Sequence, residues 1–391
     1  MNTDLIKGFK DYTGEEALKR AEIRKILVET FEKYGFEPAE TPVIESEEFV
    51  KGENKEDEAV SDIFKLRDKG KRKLALRYEF TFQLKRIAQN KKLPYKRYEI
   101  GAVFRDEPIQ GNRVRQFIAC DADIIGSSLK DEVEILALVN DILKKLNVKF
   151  TILINNRKLL NEILDDLKIN KNKDKIIREL DKLDKQGVQR TQIELKKLGA
   201  ESLLKSISEG EKYFNKFESY KEIITLMEYC KLFGFSVKFA PFLARGLSYY
   251  SGTIFEVKSE IKETICGGGS YNINGTQCFG FGTGLERLSI ISKLDFKTNR
   301  KSILVVSLNE DKQAIKITNE LRDRGNSVSI FFGKPSKALE YANSYNIQQV
   351  IFVGAKEVKK KKFKVKDMKT GKEKVLILEK RSKKNIIIQR K

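Results

Sequence analysis

The sequence predicts an α+β protein: a core built on an antiparallel sheet, split by a helical insertion and followed by a separate C-terminal α/β domain. Three observations carry this. Short β-like runs gather between Leu74 and Ile125 and return after Val237. Between about residue 161 and about residue 235 the chain is Lys/Glu-rich, with Leu and Ile at intervals of three and four and almost no β-branched runs. From Ile303 onward, apolar strand-like and amphipathic helix-like segments alternate.

Taken in order, Thr13-Gly14-Glu15-Glu16 has the spacing of a capping box, in which hydroxyl and carboxylate would satisfy free amides of the first helical turn. The helix that follows carries Ala17, Ala21, Leu27, Val28 and Phe31 at helical spacing, and Gly35 can supply the left-handed residue that ends it. Thr41-Pro42-Val43-Ile44 reads as extended, because proline biases its predecessor away from helix. Strands are expected at 74–77, 98–104 and 117–125, paired antiparallel. After the insertion they resume at 237–239, 253–257 and 264–266, ending in the glycine-rich segment that carries Arg287. The last unit reads as strand 303–308, helix 312–324 with Ala314, Ile317 and Leu321 on one face, strand 328–332, helix 337–344 and strand 350–353. That βαβαβ alternation implies parallel pairs with right-handed crossovers. Segments 363–368 and 374–378, joined around Lys369-Thr370-Gly371, read as a closing hairpin. The expected organisation is therefore a first core part at 1–160, an insertion at 161–235, a second core part at 236–297 and a C-terminal domain at 300–391.

Composition bounds the function. The 391 residues, 40% of them hydrophobic, suffice for two or three domains with cores of their own. The net charge of +21 is uneven: residues 356–391 hold 16 Lys/Arg against 4 Asp/Glu. A polyanionic partner follows, nucleic acid being the commonest, although a general lysine bias would charge the tail in the same way. There is no histidine, which excludes imidazole acid-base catalysis, histidine-ligated metals and a Ser-His-Asp triad. Cys120, Cys230, Cys266 and Cys278 lie far apart without CxxC spacing and read as buried, reduced thiols. Residues 1–10 lack an apolar signal core, and no uncharged run reaches the ~18 residues of a membrane span. A soluble, cytoplasmic protein with no membrane partner is expected.

Four separated segments carry arginines in patterned surroundings: Phe104-Arg105-Asp106-Glu107, Arg113-Val114-Arg115-Gln116-Phe117, Arg245-Gly246-Leu247-Ser248-Tyr249-Tyr250, and 280–287, which ends in Glu286-Arg287. An arginine does not lose its proton near neutral pH, so convergent guanidinium forks suit a polyphosphate better than proton transfer. Gly267-Gly268-Gly269 is not followed by Lys-Ser/Thr, which argues against a P-loop, and no strand-linked Gly-x-Gly-x-x-Gly occurs. Phosphate binding therefore falls to side chains. Arg105 ends a predicted strand, and Arg287 stands near the start of a helix whose preceding glycines let backbone amides approach an anion.

The order of these segments resembles one family. Phe104 to Glu107 with Arg115-Gln116-Phe117 is similar to motif 2 of class II aminoacyl-tRNA synthetases, and residues 280–287 to their motif 3. Residues 245–253, Arg-Gly-Leu-Ser-Tyr-Tyr-Ser-Gly-Thr, resemble the signature peculiar to histidyl-tRNA synthetases. Residues 76–81, Asn155-Asn156-Arg157 and residues 267–271 match further segments of that family. The likeness covers nearly the whole chain, insertion and anticodon-domain-like C-terminus included.

The resemblance implies activation of L-histidine with ATP and transfer to the terminal ribose of histidine tRNA. By it, Arg105 holds the α-phosphate, Glu107 meets the adenine edge, Phe117 stacks on the purine, Arg113 joins the ATP site and Arg287 takes the γ-phosphate. Arg245 also reaches the α-phosphate, doing work that a metal does in related enzymes, so that Mg2+ comes in only with ATP and no metal is held by the protein. The arginine pair Arg245 and Arg105 is the implied catalytic set. Glu79, Thr81 and Asp123 match positions that bind the amino acid's ammonium, Arg245 and Tyr249 border the same pocket, and Tyr250 and Tyr271 match tyrosines around the imidazole. Read without the resemblance, those tyrosines would rank first as core residues. The carboxylate of an amino acid is ionised at neutral pH, so adenylate formation needs alignment and charge stabilisation rather than a base. The loop 108–116 would approach the acceptor stem, where the family recognises an extra 5′ guanosine. The basic C-terminal domain would hold the anticodon region. Segments around Thr41-Pro42 resemble motif 1, which in the family builds a homodimer interface.

Three positions depart from the family pattern: Ala119 replaces Gln, Ser248 replaces Asp and Ser270 replaces Arg. Loss of the glutamine removes a partner of the substrate carboxylate, a deficit of roughly 1 to 3 kcal/mol. Two other readings exist. A non-catalytic paralogue, RNA-binding or regulatory, would be expected to lack the anticodon-like domain and the motif arginines, and this chain keeps both. A class II synthetase for another small amino acid is disfavoured by the paired tyrosines.

Overall fold

The computed structural model describes residues 2–52, 62–108, 114–246, 249–294 and 302–377. Contacts divide the chain into two units, Met1–Phe296 and Lys297–Lys391. In the first, α1 (Gly14–Lys33) leads to β1 (Glu37–Pro38), β2 (Ile44–Ser46), α2 (Glu47–Lys51), β3 (Lys65–Arg67), β4 (Lys73–Leu76) and α3 (Thr81–Ile87). There follow β5 (Tyr95–Phe104), β6 (Gln116–Ile125), α4 (Leu129–Lys145) and β7 (Thr151–Asn156). A helical stretch comes next: α5 (Arg157–Asp166), α6 (Lys173–Asp181), α7 (Leu183–Gln186), α8 (Val188–Lys197), α9 (Leu203–Ile207), α10 (Glu211–Phe214) and α11 (Glu218–Leu232). The unit closes with β8 (Lys238–Phe239), β9 (Tyr250–Lys258), β10 (Cys266–Ile273), β11 (Thr276–Gly284) and α12 (Leu285–Ile291).

Its main sheet runs β1-β5-β6-β11-β10-β9-β7-β8. Every pair from β5 to β7 is antiparallel, while the edge pairs β1/β5 and β7/β8 are parallel. Sequence-distant strands thus become neighbours: β6 lies against β11, so motif residues some 160 positions apart in the chain, Asp123 and Gly280 among them, face each other. The expected strand at 74–77 forms as β4 but joins a separate small sheet, β2-β4-β3. Strand β7 was not anticipated. The helical stretch does not close on itself, because Ile176, Leu180, Leu195 and Leu203 are buried in the same cluster as Leu27 of α1, Leu136 of α4 and Phe255 of β9.

Two local expectations about α1 are corrected. Thr13 is the N-cap residue but makes no side-chain cap bond, and the Glu16 carboxylate accepts instead from Lys10 Nζ at 2.8 Å. The buried face is Arg20, Ile23, Leu27, Thr30 and Phe31, whereas Ala21 is exposed. Arginine displaces alanine there because Arg20 has a charged partner: its Nη2 lies 2.8 Å from half-buried Glu286 and its guanidinium stacks 3.7 Å from the Tyr12 ring centroid. Gly35 does end the helix at φ +76°. Where a capping-type pair does form is α4, whose Asp131 carboxylate accepts from both the backbone N–H and the hydroxyl of Ser128.

The second unit contains β12 (Ser302–Ser307), α13 (Asp311–Asp323), β13 (Ser327–Phe332), α14 (Pro335–Ser344), β14 (Gln349–Val353), α15 (Ala355–Lys360), β15 (Lys362–Asp367) and β16 (Glu373–Ile377). The sheet order is β13-β12-β14-β15-β16, with β12 parallel to both neighbours and the last two strands added antiparallel. Alternation sorts β12 between two cores. Ile303 and Val305 meet Ala314, Ile317 and Leu321 of α13, while Leu304 and Val306 meet Ala338 and Ala342 of α14. In β15 buried Phe363 and Val365 alternate with exposed Lys362 and Lys364. The remainder of the basic tail, 378–391, lies outside the described residues.

Candidate active site

A cleft opens on the β6/β11 part of the main sheet. The two-residue period of β6 places Phe117, Ala119, Asp121 and Asp123 on one row. Directly opposite in register stand Gly284, Gly282 and Gly280 of β11, against Ala119, Asp121 and Asp123. The missing side chains create the space. A Cβ on Gly280 would run into the Asp123 carboxylate, and one on Gly282 would lie 2.9 Å from Asp121 Oδ1. Around this floor the cleft gathers Glu79 and Thr81 at the start of α3, Arg105 and Glu107 after β5, Arg245, Tyr249 and Tyr250 at the entry to β9, Tyr271 of β10 and Arg287 of α12. Of the residues expected from sequence, Arg113 falls outside the described residues, as does Ser248. Every other residue expected to hold ATP or histidine lines one cavity of about 280 Å³.

The three arginines are each anchored. Arg105 Nε donates to the Tyr78 carbonyl at 3.3 Å, its Nη1 lies 3.9 Å from Glu107, and its guanidinium sits 5.2 Å from the Phe117 ring centroid. Arg245 Nη1 holds Glu256 at 2.7 Å, and the other Glu256 oxygen accepts from the Thr264 hydroxyl at 2.8 Å. Arg287 Nη1 donates to the Thr264 carbonyl at 2.7 Å. Thr264 therefore couples the supports of two arginines. Burial opposes the charge on Arg245, but Tyr250, Glu256 and Asp181 raise its pKa, so it stays cationic. Gly267 makes room for it: a Cβ there would sit 2.5 Å from Arg245 Nη1.

The opposite end is acidic and aromatic. Asp123 is committed on both oxygens, to Arg97 Nη2 at 2.7 Å and to the Tyr271 hydroxyl, which donates at 2.5 Å. Arg97 is fully buried; Glu99 lies 3.9 Å from its Nη1 and itself accepts from Arg77 at 2.8 Å. Burial pushes the Tyr249 and Tyr271 phenols well up, aided by Glu79 in the first case and Asp123 in the second, so both keep their protons. Tyr249 packs against Tyr250 and Tyr271 with ring centroids 4.7 and 5.8 Å away.

The departures at 119 and 270 separate in space. Ala119 lines the cleft with a methyl group. Ser270 is not part of the lining: its hydroxyl donates at 2.7 Å to Glu132, a buried carboxyl of α4. Several residues that shape the site escaped the reading of the sequence, namely Glu256, Thr264, Asp121 and Glu286. Glu286 lay inside a recognised segment. Its two oxygens each accept from the Ile118 N–H at 3.2 Å, fixing α12 to β6. The signal that could have exposed Asp121 and Glu256 is strand alternation, each being an acid on an otherwise apolar or functional row. The four cysteines are free and buried, and burial lifts all four thiols, Cys230 and Cys278 to about 12, so none serves as a nucleophile near neutral pH.

An antiparallel sheet that floors a cleft of convergent arginines, joined to an α/β domain, is the architecture of a class II aminoacyl-tRNA synthetase. Comparison with known proteins narrows the class. Residues 8–288 match the model of the histidyl-tRNA synthetase family, and residues 302–384 that of the anticodon binding domain. A histidine–tRNA ligase of Bacillus cereus is 33% identical, the alignment covering 94% of this chain and 96% of the relative. In fold, the chain is similar to histidyl-tRNA synthetase from Nostoc sp. PCC 7120, with TM-score 0.82 at 24% identity over 96% of this chain and 97% of the other. It is also similar to a Bacillus halodurans protein described as an ATP phosphoribosyltransferase regulatory subunit/histidyl-tRNA synthetase, with TM-score 0.74 at 22% identity over 90% and 98%. The chain belongs to the histidyl-tRNA synthetase family.

Proposed function

We propose that the protein is a histidine–tRNA ligase that joins L-histidine to ATP as histidyl-adenylate, releasing pyrophosphate, and then transfers the histidyl group to the 3′ end of histidine tRNA, releasing AMP. The observation that carries this reading is the single cleft in which Arg105, Arg245 and Arg287 face Glu79, Thr81 and the Tyr249–Tyr250–Tyr271 cluster across the β6/β11 floor. In the first step a carboxylate oxygen of histidine attacks the α-phosphorus and the bond to pyrophosphate breaks. Arg105 and Arg245 would stabilise charge developing on the α-phosphate, Arg287 would hold the γ-phosphate, and Phe117 and Glu107 would take the purine, with Arg113 completing the ATP site. Arg245 would exchange its bond to Glu256 for one to phosphate. Glu79, Thr81 and Asp123 would orient the ammonium end, and Tyr250 and Tyr271 the imidazole.

Among the described residues no group of three or more Cys, Asp or Glu is placed to hold a metal. Mg2+ would come in with the phosphates of ATP. No helix of the described residues is long and apolar enough to cross a membrane; a cytoplasmic location is part of the proposal. The division at 1–160, 161–235, 236–297 and 300–391 is retained as a functional division, with the tRNA reached through loop 108–116 and the C-terminal domain. The motif 1-like segment around Thr41-Pro42 supports a homodimer, and sedimentation equilibrium should return twice the chain mass of 45.0 kDa; a monomer would refute that part. Aminoacylation of histidine tRNA, followed by acid-gel separation of charged and uncharged tRNA, tests the function as a whole.

A further inference from the structure

The acid row of β6 contains one carboxylate that the family's roles do not use. Asp121 lines the cleft between Ala119 and Asp123, and no hydrogen bond or ion pair of its carboxylate occurs among the described residues. It leans into the gap left by Gly282, its Oδ1 lying 2.9 Å from where a Cβ would stand. Asp123, by contrast, has both oxygens taken by Arg97 and Tyr271. Two positions back along the same row, where the family carries Gln, Ala119 offers no polar group. A cation entering this end of the cleft therefore meets Asp121 as the uncommitted carboxylate on the β6 row. On this basis, and resting on the functional reading above, we propose that Asp121 binds the α-ammonium of the amino-acid substrate directly, from a row on which the alanine at 119 offers no polar group of its own.

The electrostatics support the assignment. Burial, opposed by Arg97 but reinforced by Asp123, Glu79 and Glu99, pushes the Asp121 carboxyl well above its ordinary range. The empty site thus carries an unfavourable acid that an arriving ammonium relieves. A purely structural aspartate would be paired within the protein, and its removal would destabilise the fold. A ligand-binding one should do the reverse.

The test compares the full-length protein with Asp121→Asn, and with Asp121→Ser as a second neutral variant. Pyrophosphate exchange gives KM and kcat for histidine. Equilibrium binding is measured for histidinol, which has the ammonium without the carboxylate, and for 3-(imidazol-4-yl)propionate, which has the carboxylate without the ammonium. Loss of a hydrogen bond to a charged group is expected to raise KM for histidine and Kd for histidinol by roughly 10- to 100-fold. Propionate binding should change by less than about threefold, and the thermal midpoint of the ligand-free protein should hold or rise. Unchanged histidine KM and histidinol Kd, or an equal loss for the propionate, would overturn the assignment, as would a lowered midpoint in both variants with all ligands weakened. Should the parent protein show no histidine-dependent exchange, the functional reading fails, and histidinol binding by parent and variants still decides the role of Asp121.

Discussion

At the scale of single residues, three cationic side chains are held ready by neutral or acidic partners rather than by each other. Arg245 is the most constrained, gripped by Glu256, flanked by Tyr250 and pressed on Gly267. Replacing Arg245 by Ala should lower kcat for histidine-dependent pyrophosphate exchange by about 10²- to 10³-fold, the cost of losing one charge-stabilising donor. A steady-state comparison of kcat at saturating ATP checks this. Glu132 makes a second prediction. Burial raises its carboxyl to about 7, against hydrogen bonds from Thr253 and Ser270 that lower it. Because the folded pKa lies above the unfolded one, its contribution to stability is full below the unfolded value near pH 4.5 and is lost as pH rises through about 7. Glu132→Gln, neutral throughout, should gain in thermal midpoint relative to the parent between about pH 6 and pH 8 and gain nothing near pH 4. A pH series of melting curves decides it. The arginines were legible in the sequence because their flanking residues follow a family order. Asp121 was not, because what it faces depends on register with a strand more than a hundred residues away, and Glu256 was not, because its partners Arg245 and Thr264 reach it only once β9 and the segments on either side of it have folded together.

At the scale of elements, the site depends on glycines that let strands and side chains approach. The glycines of β10 divide into two kinds. A Cβ on Gly267 meets the guanidinium end of the Arg245 side chain, whereas one on Gly268 strikes the Gly280 carbonyl oxygen of the neighbouring strand. Gly267→Ala should therefore lower exchange activity by about tenfold or more with little change in melting temperature, through displaced Arg245. Gly268→Ala should cost about 2 kcal/mol or more of stability, since the backbone of β11 has to move. Paired calorimetry and exchange assays on the two variants separate the effects, and equal stability losses would contradict the distinction. The alternation of elements after Ile303 was readable from apolar runs alone, since the central strands β12 and β14 are buried on both faces. The strand at 151–156 was missed, as was α15, because a short segment owes its structure to neighbours: β7 pairs with β9, and α15 spans only Ala355–Lys360.

At the scale of the whole molecule, a charge of +21 and the exposed lysines of the C-terminal unit make a polyanion the natural partner. Binding of tRNA should weaken linearly in log–log coordinates with salt, by about tenfold or more between roughly 50 and 200 mM. Replacing Lys362, Lys369 and Lys372 with Ala should flatten that slope by about 1 to 3 units, as read by filter binding across a salt series. An unchanged slope would place the RNA elsewhere. The α+β division into a sheet core and a trailing α/β unit was legible because composition changes at each step along the chain. The packing of the helical stretch into the core of the sheet was not, since Lys/Glu-rich helices look alike whether they stand apart or bury one face.

The central claim is that this cleft activates histidine with ATP without any histidine of its own. Amino-acid-dependent exchange of pyrophosphate into ATP, run with each of the twenty amino acids on the purified protein and on its Arg245→Ala variant, tests it most directly. The account requires exchange with histidine alone, lost in the variant. Exchange with a different amino acid, or none from a folded protein that still binds tRNA, would contradict it.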